Sequence, residues 1–220
     1  SFTADLLRVL PADEVQELDV YSTFVAINGT PGVTYIDSIN KATSAGFPWN
    51  KSKKYYIESL GEVNGVPDAI QFDPEITASI EEVERIYARG ERAYPIFNAH
   101  TKDEAVSFKK QATGKTRVFC AAPIDWSVIV RKYFLSFVRL QQNNTIACEA
   151  ASGTIAQSSE WGDIRRHLTK YGEDRMIAGD YKAYDKRMPA MMILAAFEVI
   201  INLYKTAGLS VEDELIMRCI

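Results

Sequence analysis

The ten residues Met176-Ile177-Ala178-Gly179-Asp180-Tyr181-Lys182-Ala183-Tyr184-Asp185 carry more information about this protein than any other segment. The apolar run at 176–178 predicts a short buried strand, which Gly179 and the polar residues after it would end. Asp180 would then lie at the mouth of that strand, where a carboxylate can hold a divalent ion, with Asp185 within reach of the same ligand. The alternative is that both residues are turn formers, and the pair alone does not decide between the two.

A second feature is a concentration of basic residues upstream, in Lys102-Asp103-Glu104, Lys109-Lys110 and Gly114-Lys115-Thr116-Arg117. Between residues 102 and 139 there are eight basic and three acidic residues, although the whole chain has a formal net charge of −4. Lys and Arg bind phosphate oxygens through charge-assisted hydrogen bonds. This local excess of positive charge therefore predicts a binding site for a polyanion.

A third feature is the string Thr43-Ser44-Ala45-Gly46-Phe47-Pro48-Trp49. Small residues allow another backbone to approach closely, and hydroxyl groups can bond a phosphate oxygen. Taken alone, the string is typical of a turn before a proline.

Together and in this order, the three segments resemble motifs G, F and A of the RNA-dependent RNA polymerases of picornavirus-like positive-strand RNA viruses. The resemblance runs from about residue 43 to the helix after residue 185. It implies that Asp180 is catalytic and binds metal, and that Asp185 binds the nucleotide by sensing the ribose 2′-hydroxyl. It further implies nucleotide binding by the basic segment and RNA binding by the small-residue string. The nucleotide-binding residues would be Lys102, Lys110, Lys115 and Arg117, and the RNA-binding residues Thr43, Ser44 and Gly46. Val106 departs from the pattern, because many relatives have a basic residue there.

The fold implied by the resemblance is α+β, a right-hand polymerase fold that is rich in helices and has a mixed palm sheet. Residues 1–173 would form a fingers-like region with template and nucleotide-entry elements, and residues 174–220 the start of the palm. Neither an SG-containing motif nor a GDD-type turn occurs between Asp180 and Ile220, so the rest of the palm and the thumb are expected outside this chain. The chain alone is expected to be inactive.

The implied function is RNA-templated RNA synthesis, in which a nucleotide is transferred from a nucleoside triphosphate to an RNA 3′-hydroxyl. It would use a two-metal site for Mg²⁺ or Mn²⁺ that residues outside this chain complete. Expected partners are the RNA template, the primer or product strand, nucleoside triphosphates and other viral replication proteins, with the enzyme part of a longer polymerase or polyprotein. The expected location is the host cytoplasm, in a membrane-associated replication complex. No apolar run is long enough to insert stably into a membrane.

The sequence offers three alternative functions. A P-loop NTPase is excluded because Lys109 stands where its motif requires glycine, and because the residues after Thr116 favour a strand instead of a helix. A reverse transcriptase or related palm polymerase would not normally have an acidic residue at position 185. A non-catalytic RNA-binding module stays open, since aromatic and basic residues occur together.

The remaining pattern predicts a strand at 118–120, a loop at 61–67 and five helices. Asp73 and Pro74 would start the first helix, Asp125 would cap the second, and Ser159 would open the third. Pro189 would start a long helix with Met192, Ala195, Ala196, Val199 and Leu203 on its buried face, and Ser210 and Asp213 would cap a last one. The three cysteines are spaced too far apart for a zinc or disulfide framework and are expected to be buried free thiols.

Overall fold

A computed structural model describes all residues of the chain, from Ser1 to Ile220. The chain divides into two compact units. One consists of residues 1–20 and 134–218, and the other of residues 21–133 with 219–220.

The unit of residues 21–133 contains an antiparallel hairpin of β1 (Ile57–Val63) and β2 (Val66–Phe72). The predicted loop at 61–67 is therefore wrong. Asn64 and Gly65 form the turn, both with positive φ, which is the two-residue Asn-Gly geometry that suits the twist of paired strands. Helix α3 (Thr23–Asn28) contacts β2. The buried side chain of Asn28 donates to the Ile70 carbonyl (2.9 Å) and accepts from the Ile70 N–H (2.8 Å), so it satisfies both backbone groups.

Helix α4 (Pro74–Ala88) packs on β2 and begins where the sequence predicts. The Asp73 carboxylate accepts from the N–H of Ile76 (3.0 Å), Pro74 occupies the first turn, and Ile76, Ile80 and Tyr87 are buried. A second antiparallel pair joins β3 (Asn98–Thr101) to β4 (Val118–Ala121), which confirms the predicted strand at 118–120. The short helix α5 (Phe108–Ala112) lies in the connection between them.

The unit of residues 1–20 and 134–218 is helical. Its helices are α1 (Phe2–Val9), α2 (Ala12–Gln16), the second half of α6 (Ile124–Asn143), α7 (Glu160–Leu168), α8 (Tyr184–Arg187), α9 (Ala190–Thr206) and α10 (Val211–Cys219). Helices α1 and α2 contact α9. The Tyr204 hydroxyl accepts from the N–H of Phe137 (3.1 Å), and Leu203, Ile216 and Met217 are buried.

Several predicted helix boundaries agree with this structure and one does not. Helix α7 follows Ser159, α9 follows Pro189, and the Ser210 hydroxyl accepts from the N–H of Asp213 (3.0 Å) at the start of α10. Asp125 is not a cap, because α6 already begins at Ile124. The Asp125 carboxylate instead accepts from the Ser79 hydroxyl (2.8 Å), and so it ties α6 to α4.

The predicted buried strand at 176–178 is wrong. These residues belong to no strand, and Ile177 is 99% exposed. A strand requires a neighbour to pair with its backbone, and the chain's two sheets contain only the antiparallel pairs β1–β2 and β3–β4. A mixed palm sheet is accordingly not formed by these 220 residues.

The predicted buried face of α9 is also mostly wrong, since of its five residues only Leu203 is buried and Met192 is 60% exposed. The others line an apolar groove of about 550 Å³ together with residues of α1 and α6. The expectation of buried thiols fails as well: all three cysteines are free, but Cys120 is exposed and the other two are half-buried.

Candidate functional site

The small-residue string predicted to contact RNA forms a loop that is tied to the residues directly after it. The N–H of Ala45 donates to the Lys51 carbonyl (2.7 Å), and the N–H of Lys53 donates to the Thr43 carbonyl (2.9 Å). A β-bridge joins Ser44 to Ser52 between them. Thr43 and Ser44 are exposed. The Thr43 hydroxyl donates its proton to the Asn40 carbonyl (3.2 Å), whereas the Ser44 hydroxyl accepts from the N–H of Gly46 (3.1 Å) and keeps its proton for a ligand.

Gly46 is buried within the same loop and has φ +79°. A side chain there would come within 2.7 Å of the Ala122 carbonyl oxygen and of Pro123 Cα. The Ala45 carbonyl also accepts from the N–H of Ile124 (2.8 Å), at the start of α6. The glycine is therefore needed for packing of the loop against the chain's own backbone. The sequence predicts an RNA contact at Gly46 and does not reveal this packing of Gly46 against Ala122 and Pro123.

The basic segment forms the connection between β3 and β4. The N–H of Lys102 donates to the Arg117 carbonyl (2.8 Å), which continues the ladder of the two strands by one residue. At the far end of the connection the N–H of Lys115 donates to the Lys110 carbonyl (3.0 Å), and Gly114 makes the turn with φ +62°. This basic hairpin, residues 102–117, thus holds all four predicted nucleotide-binding residues.

Within the basic hairpin, Glu104 lies between two of the four cations. One of its carboxylate oxygens is 3.5 Å from Lys102 Nζ and 3.3 Å from an Arg117 nitrogen. Lys110 and Lys115 are exposed and form no ion pair in the structure. Two of the predicted phosphate ligands are therefore partly neutralised by the chain, and two are free.

The positive patch is smaller than the sequence count suggests. Arg131 donates to the carbonyls of Ala26 (2.6 Å) and Asp37, Lys132 pairs with Glu84 (2.5 Å), and Arg139 pairs with Glu17 (3.1 Å). These cations of α6 stabilise the fold. The surface charge available to a polyanion comes from the hairpin itself, which has five basic and two acidic residues.

Asp180 and Asp185 lie in an exposed segment. Asp180 belongs to the irregular stretch that precedes α8, and Asp185 lies in the first turn of α8 after Ala183, which has φ +55°. Neither carboxylate forms a hydrogen bond or an ion pair with another side chain, so the oxygens of both are available to a ligand.

Carboxylate oxygens suit Mg²⁺ and Mn²⁺, so the donor chemistry of Asp180 and Asp185 fits a hard divalent ion. The structure contains no cluster of three or more His, Cys, Asp or Glu residues that could hold one. Two exposed carboxylates can supply part of a coordination sphere but not all of it.

The structure places the predicted site residues in both units. Thr43, Ser44 and Gly46 and the basic hairpin belong to the unit of residues 21–133, whereas Asp180 and Asp185 belong to the other. Sequence reasoning missed Glu104 as a partner of Lys102 and Arg117, and it missed Lys53 behind the small-residue loop. The lysine-rich string Lys51-Ser52-Lys53-Lys54 was the available signal for the latter.

Comparisons with known proteins point to one family. A model of the viral RNA-dependent RNA polymerase family matches residues 8–216. The replicase polyprotein of Drosophila C virus is 31% identical over 194 residues, which is 86% of this chain and 11% of that protein. The replicase polyprotein of Cricket paralysis virus is 32% identical, also over 86% of this chain and 11% of its own length.

Among solved structures, the fold is similar to that of a Sicinivirus 3Dpol RNA-dependent RNA polymerase, with a TM-score of 0.72 and 20% identity. The match covers 99% of this chain and 42% of that one, which confirms a helix-rich, right-hand polymerase fold of which this chain forms a part. The chain spans about a tenth of the length of the replicase polyproteins that it matches. No helix has the length and apolar character needed to span a membrane.

Proposed function

We propose that this chain, which belongs to the viral RNA-dependent RNA polymerase family, is part of an enzyme that copies RNA from an RNA template. The observation that carries the proposal is the order of three segments inside the matched range: the small-residue loop, the basic hairpin and the Asp180–Asp185 segment. The family generally uses divalent metal ions. The fingers-like part would be residues 1–173 and the start of the palm residues 174–220.

The proposed reaction is attack of the RNA 3′-hydroxyl on the α-phosphate of a nucleoside triphosphate. The bond from the α-phosphate to the bridging oxygen breaks, and pyrophosphate leaves. Divalent ions, when bound, supply charge stabilisation at the reacting oxygens. Asp180 would hold one of them, because its carboxylate is exposed and makes no bond to another side chain. The remaining ligands would come from outside this chain.

The basic hairpin would bind the triphosphate. Lys110 and Lys115 carry exposed charges without ion pairs and are ready to contact phosphate oxygens. Lys102 and Arg117 would exchange Glu104 for phosphate, and the fork of the arginine allows a bidentate contact. Glu104 would then keep both side chains extended in the absence of nucleotide.

Asp185 would bind the ribose 2′-hydroxyl. It lies five residues after Asp180, and its carboxylate is exposed and able to accept a hydrogen bond. A carboxylate that is paired only by a ribose hydroxyl favours ribonucleotides over deoxyribonucleotides.

The loop at 43–46 would border the path of the template. The Ser44 hydroxyl accepts from the N–H of Gly46 (3.1 Å), and its own proton finds no acceptor in the chain. It can therefore donate to a phosphate oxygen of the RNA backbone. The proposed partners are the template, the primer or product strand, nucleoside triphosphates and other replication proteins, in a membrane-associated complex of the host cytoplasm.

The test is template-dependent nucleotide incorporation by the full-length polymerase, with wild type, Asp180→Asn and Asp174→Asn compared. Asp174 is an exposed aspartate of the same unit and provides a control with the same change of charge. We expect Asp180→Asn to reduce incorporation by at least about 10³-fold, the scale of losing a main electrostatic contact to the transition state, with Asp174→Asn near wild type.

Thermal unfolding should be the same for all three proteins, since Asp180 makes no side-chain contact that stabilises the fold. Incorporation by Asp180→Asn at the wild-type level would exclude the assigned role. RNA binding by the wild type without any incorporation, in Mg²⁺ or in Mn²⁺, would favour a non-catalytic RNA-binding module instead.

A further inference from the structure

Lys53 has a buried charge that the assignments above do not use. The residue is only 8% exposed, and its ammonium donates to the Thr43 hydroxyl (2.6 Å) and to the Ser44 carbonyl (2.8 Å). No carboxylate pairs with it in the structure. Buried lysines are rare and are nearly always paired with an acidic group, because removing the charge from water is costly.

Burial lowers the pKa of Lys53 from its ordinary value of 10.5, as expected for an ammonium without a carboxylate partner. The ammonium nevertheless makes two short hydrogen bonds to oxygen acceptors, which are the partners of the charged form. The loop thus contains a positive charge that is solvated by the loop's own oxygens and is left without a counter-charge.

The backbone of the loop is held without this ammonium. Hydrogen bonds join residues 43 and 45 to residues 53 and 51, and the bridge of Ser44 to Ser52 lies between them. The ammonium instead fixes the positions of Thr43 and Ser44, the two residues that face solvent. It fixes the Thr43 hydroxyl, which also donates to the Asn40 carbonyl (3.2 Å), and it fixes the peptide that carries the Ser44 side chain.

We propose that Lys53 is a positioning residue for the RNA template. From beneath the loop, its ammonium holds the Thr43 hydroxyl and the Ser44 carbonyl in place. The Ser44 side chain is thereby positioned, and its hydroxyl donates to an RNA phosphate that supplies the missing counter-charge. This inference rests on the proposed function, because it assumes that the loop at 43–46 borders the template. Lys53 itself touches no reacting atom.

The experiment compares Lys53→Met, Lys53→Arg and Lys54→Met in the full-length polymerase. Lys54 is the neighbouring residue, is exposed and forms no side-chain hydrogen bond or ion pair, so it controls for loss of one charge in the same segment. The probe is a short single-stranded RNA annealed to a primer. The measurements are its dissociation rate from stalled elongation complexes, the salt dependence of its affinity, the KM for nucleotide and the thermal unfolding temperature.

We expect Lys53→Met to speed RNA dissociation about tenfold, as for loss of one charge-assisted interaction, while the KM for nucleotide stays unchanged. The slope of log affinity against log salt should fall by about 0.7, the value for one phosphate neutralised on single-stranded RNA. Lys53→Arg should restore the slope, and Lys54→Met should leave the dissociation rate at the wild-type value.

An unchanged salt slope and dissociation rate in Lys53→Met, in an enzyme that still copies RNA, would overturn the inference and leave the proposed function intact. Absence of template-dependent synthesis by the wild type would instead overturn the proposed function. If Lys53→Met does not fold, the same dissociation measurement is made on Thr43→Val, which removes the hydroxyl that Lys53 binds. Faster RNA dissociation at an unchanged unfolding temperature supports the inference, and wild-type dissociation overturns it.

Discussion

The loop of residues 43–53 and the segment of residues 176–187 are both predicted to contact substrate, but the chain supports them differently. The loop has two backbone hydrogen bonds across it, which form the bridge of Ser44 to Ser52. It also has a buried lysine beneath it and a glycine packed against Ala122 and Pro123. The later segment has no strand partner, exposes Ile177 almost completely, and leaves Asp180 and Asp185 without a side-chain partner.

The difference separates two ways of building a site. In the loop, backbone hydrogen bonds and the close packing of Gly46 stabilise the local fold around the residues that present hydroxyl groups, so a substitution at Gly46 affects stability and function together. In the later segment the carboxylates of Asp180 and Asp185 are exposed and form no side-chain hydrogen bond or ion pair, so we expect their removal to affect chemistry alone. An extended apolar segment also requires a neighbouring strand to satisfy its backbone groups, and these residues do not find one among the chain's own strands.

Replacement of Gly46 by alanine tests whether the loop of residues 43–53 is rigid. The new Cβ would meet Ala122 and Pro123 at 2.7 Å and would hold a φ of +79° that side chains avoid. The matched control is Gly65→Ala, at φ +75° with no atom within 4 Å of the new Cβ. We expect Gly46→Ala to cost about 1–3 kcal/mol more than the control, as for overpacking in a closed site.

Urea unfolding of the full-length enzyme measures this difference, with the two variants compared at the same protein concentration. Equal losses for Gly46→Ala and Gly65→Ala would mean that the loop yields to the extra methyl group. In that case the loop is not rigid, and its contrast with the later segment disappears.

Replacement of Arg117 tests whether the basic hairpin resembles the exposed segment of residues 176–187. If it does, the substitution should reduce nucleotide use and leave the stability of the fold unchanged. Its guanidinium is 69% exposed and has Glu104 as its only ion-pair partner. One charge-assisted contact to phosphate contributes about 1.5–3 kcal/mol, so Arg117→Ala should lower kcat/KM for nucleotide by about 10- to 150-fold.

The control is Arg165→Ala, because Arg165 is 71% exposed and is likewise paired with one glutamate, Glu173. It should leave nucleotide use unchanged. Both variants should unfold at the wild-type temperature, since exposed ion pairs contribute little to stability. Identical steady-state constants for Arg117→Ala and wild type would reduce Arg117 to a surface charge.

The sequence predicted those parts of the fold that depend on local chemistry. Asp73 and Pro74 start α4 as expected because a cap and a proline act on adjacent backbone groups. The β1–β2 hairpin was missed although Asn64-Gly65, the strongest short hairpin signal, stands at its turn. The predicted loop from Gly61 to Pro67 contains this Asn-Gly signal, so the hairpin could have been predicted from the sequence.

Other features could not be predicted from sequence because they depend on distant groups. The apolar residues of α9 follow a helical period, yet Met192 is exposed, since periodicity shows which face is apolar and not what covers it. The cations of α6 were counted in the basic patch, but their partners Asp37, Glu84 and Glu17 lie about 48 to 122 residues away in sequence. Lys53 was overlooked for the same reason, since its burial depends on how the loop folds back.

Removal of the Asp185 carboxylate tests whether the exposed segment selects ribonucleotides over deoxyribonucleotides. Asp185→Ala in the full-length enzyme should lower the preference for ribonucleotides about fivefold, the effect of losing one hydrogen bond of about 1 kcal/mol. The measurement is the ratio of kcat/KM for a matched ribonucleotide and deoxyribonucleotide, with Asp174→Ala as control. An unchanged ratio in an active variant would make Asp185 a turn residue of α8.

Acidification should produce the smallest effect, and it tests whether surface charge stabilises the helices that follow the exposed segment. Arg218 on α10 binds the Glu198 carboxylate of α9 through two contacts (2.6 and 3.0 Å), and these hydrogen bonds lower the pKa of Glu198 from its ordinary 4.5. Hydrogen bonds from Lys205 and then Arg218 lower the pKa of Glu214 in the same way.

Groups with a lowered pKa stabilise the fold above their unfolded-state pKa, and this contribution is lost as the pH falls through the folded-state value. Since the groups are solvent-exposed, we expect the advantage of wild type over Glu198→Gln to be about 0.2–1 kcal/mol at neutral pH. It should vanish once the pH falls below the lowered folded-state pKa of Glu198. Glu212→Gln, an exposed glutamate of α10 without an ion pair, should show no such pH-dependent difference. An advantage that persists at low pH would mean that packing, and not the ion pair, makes Glu198 stabilising.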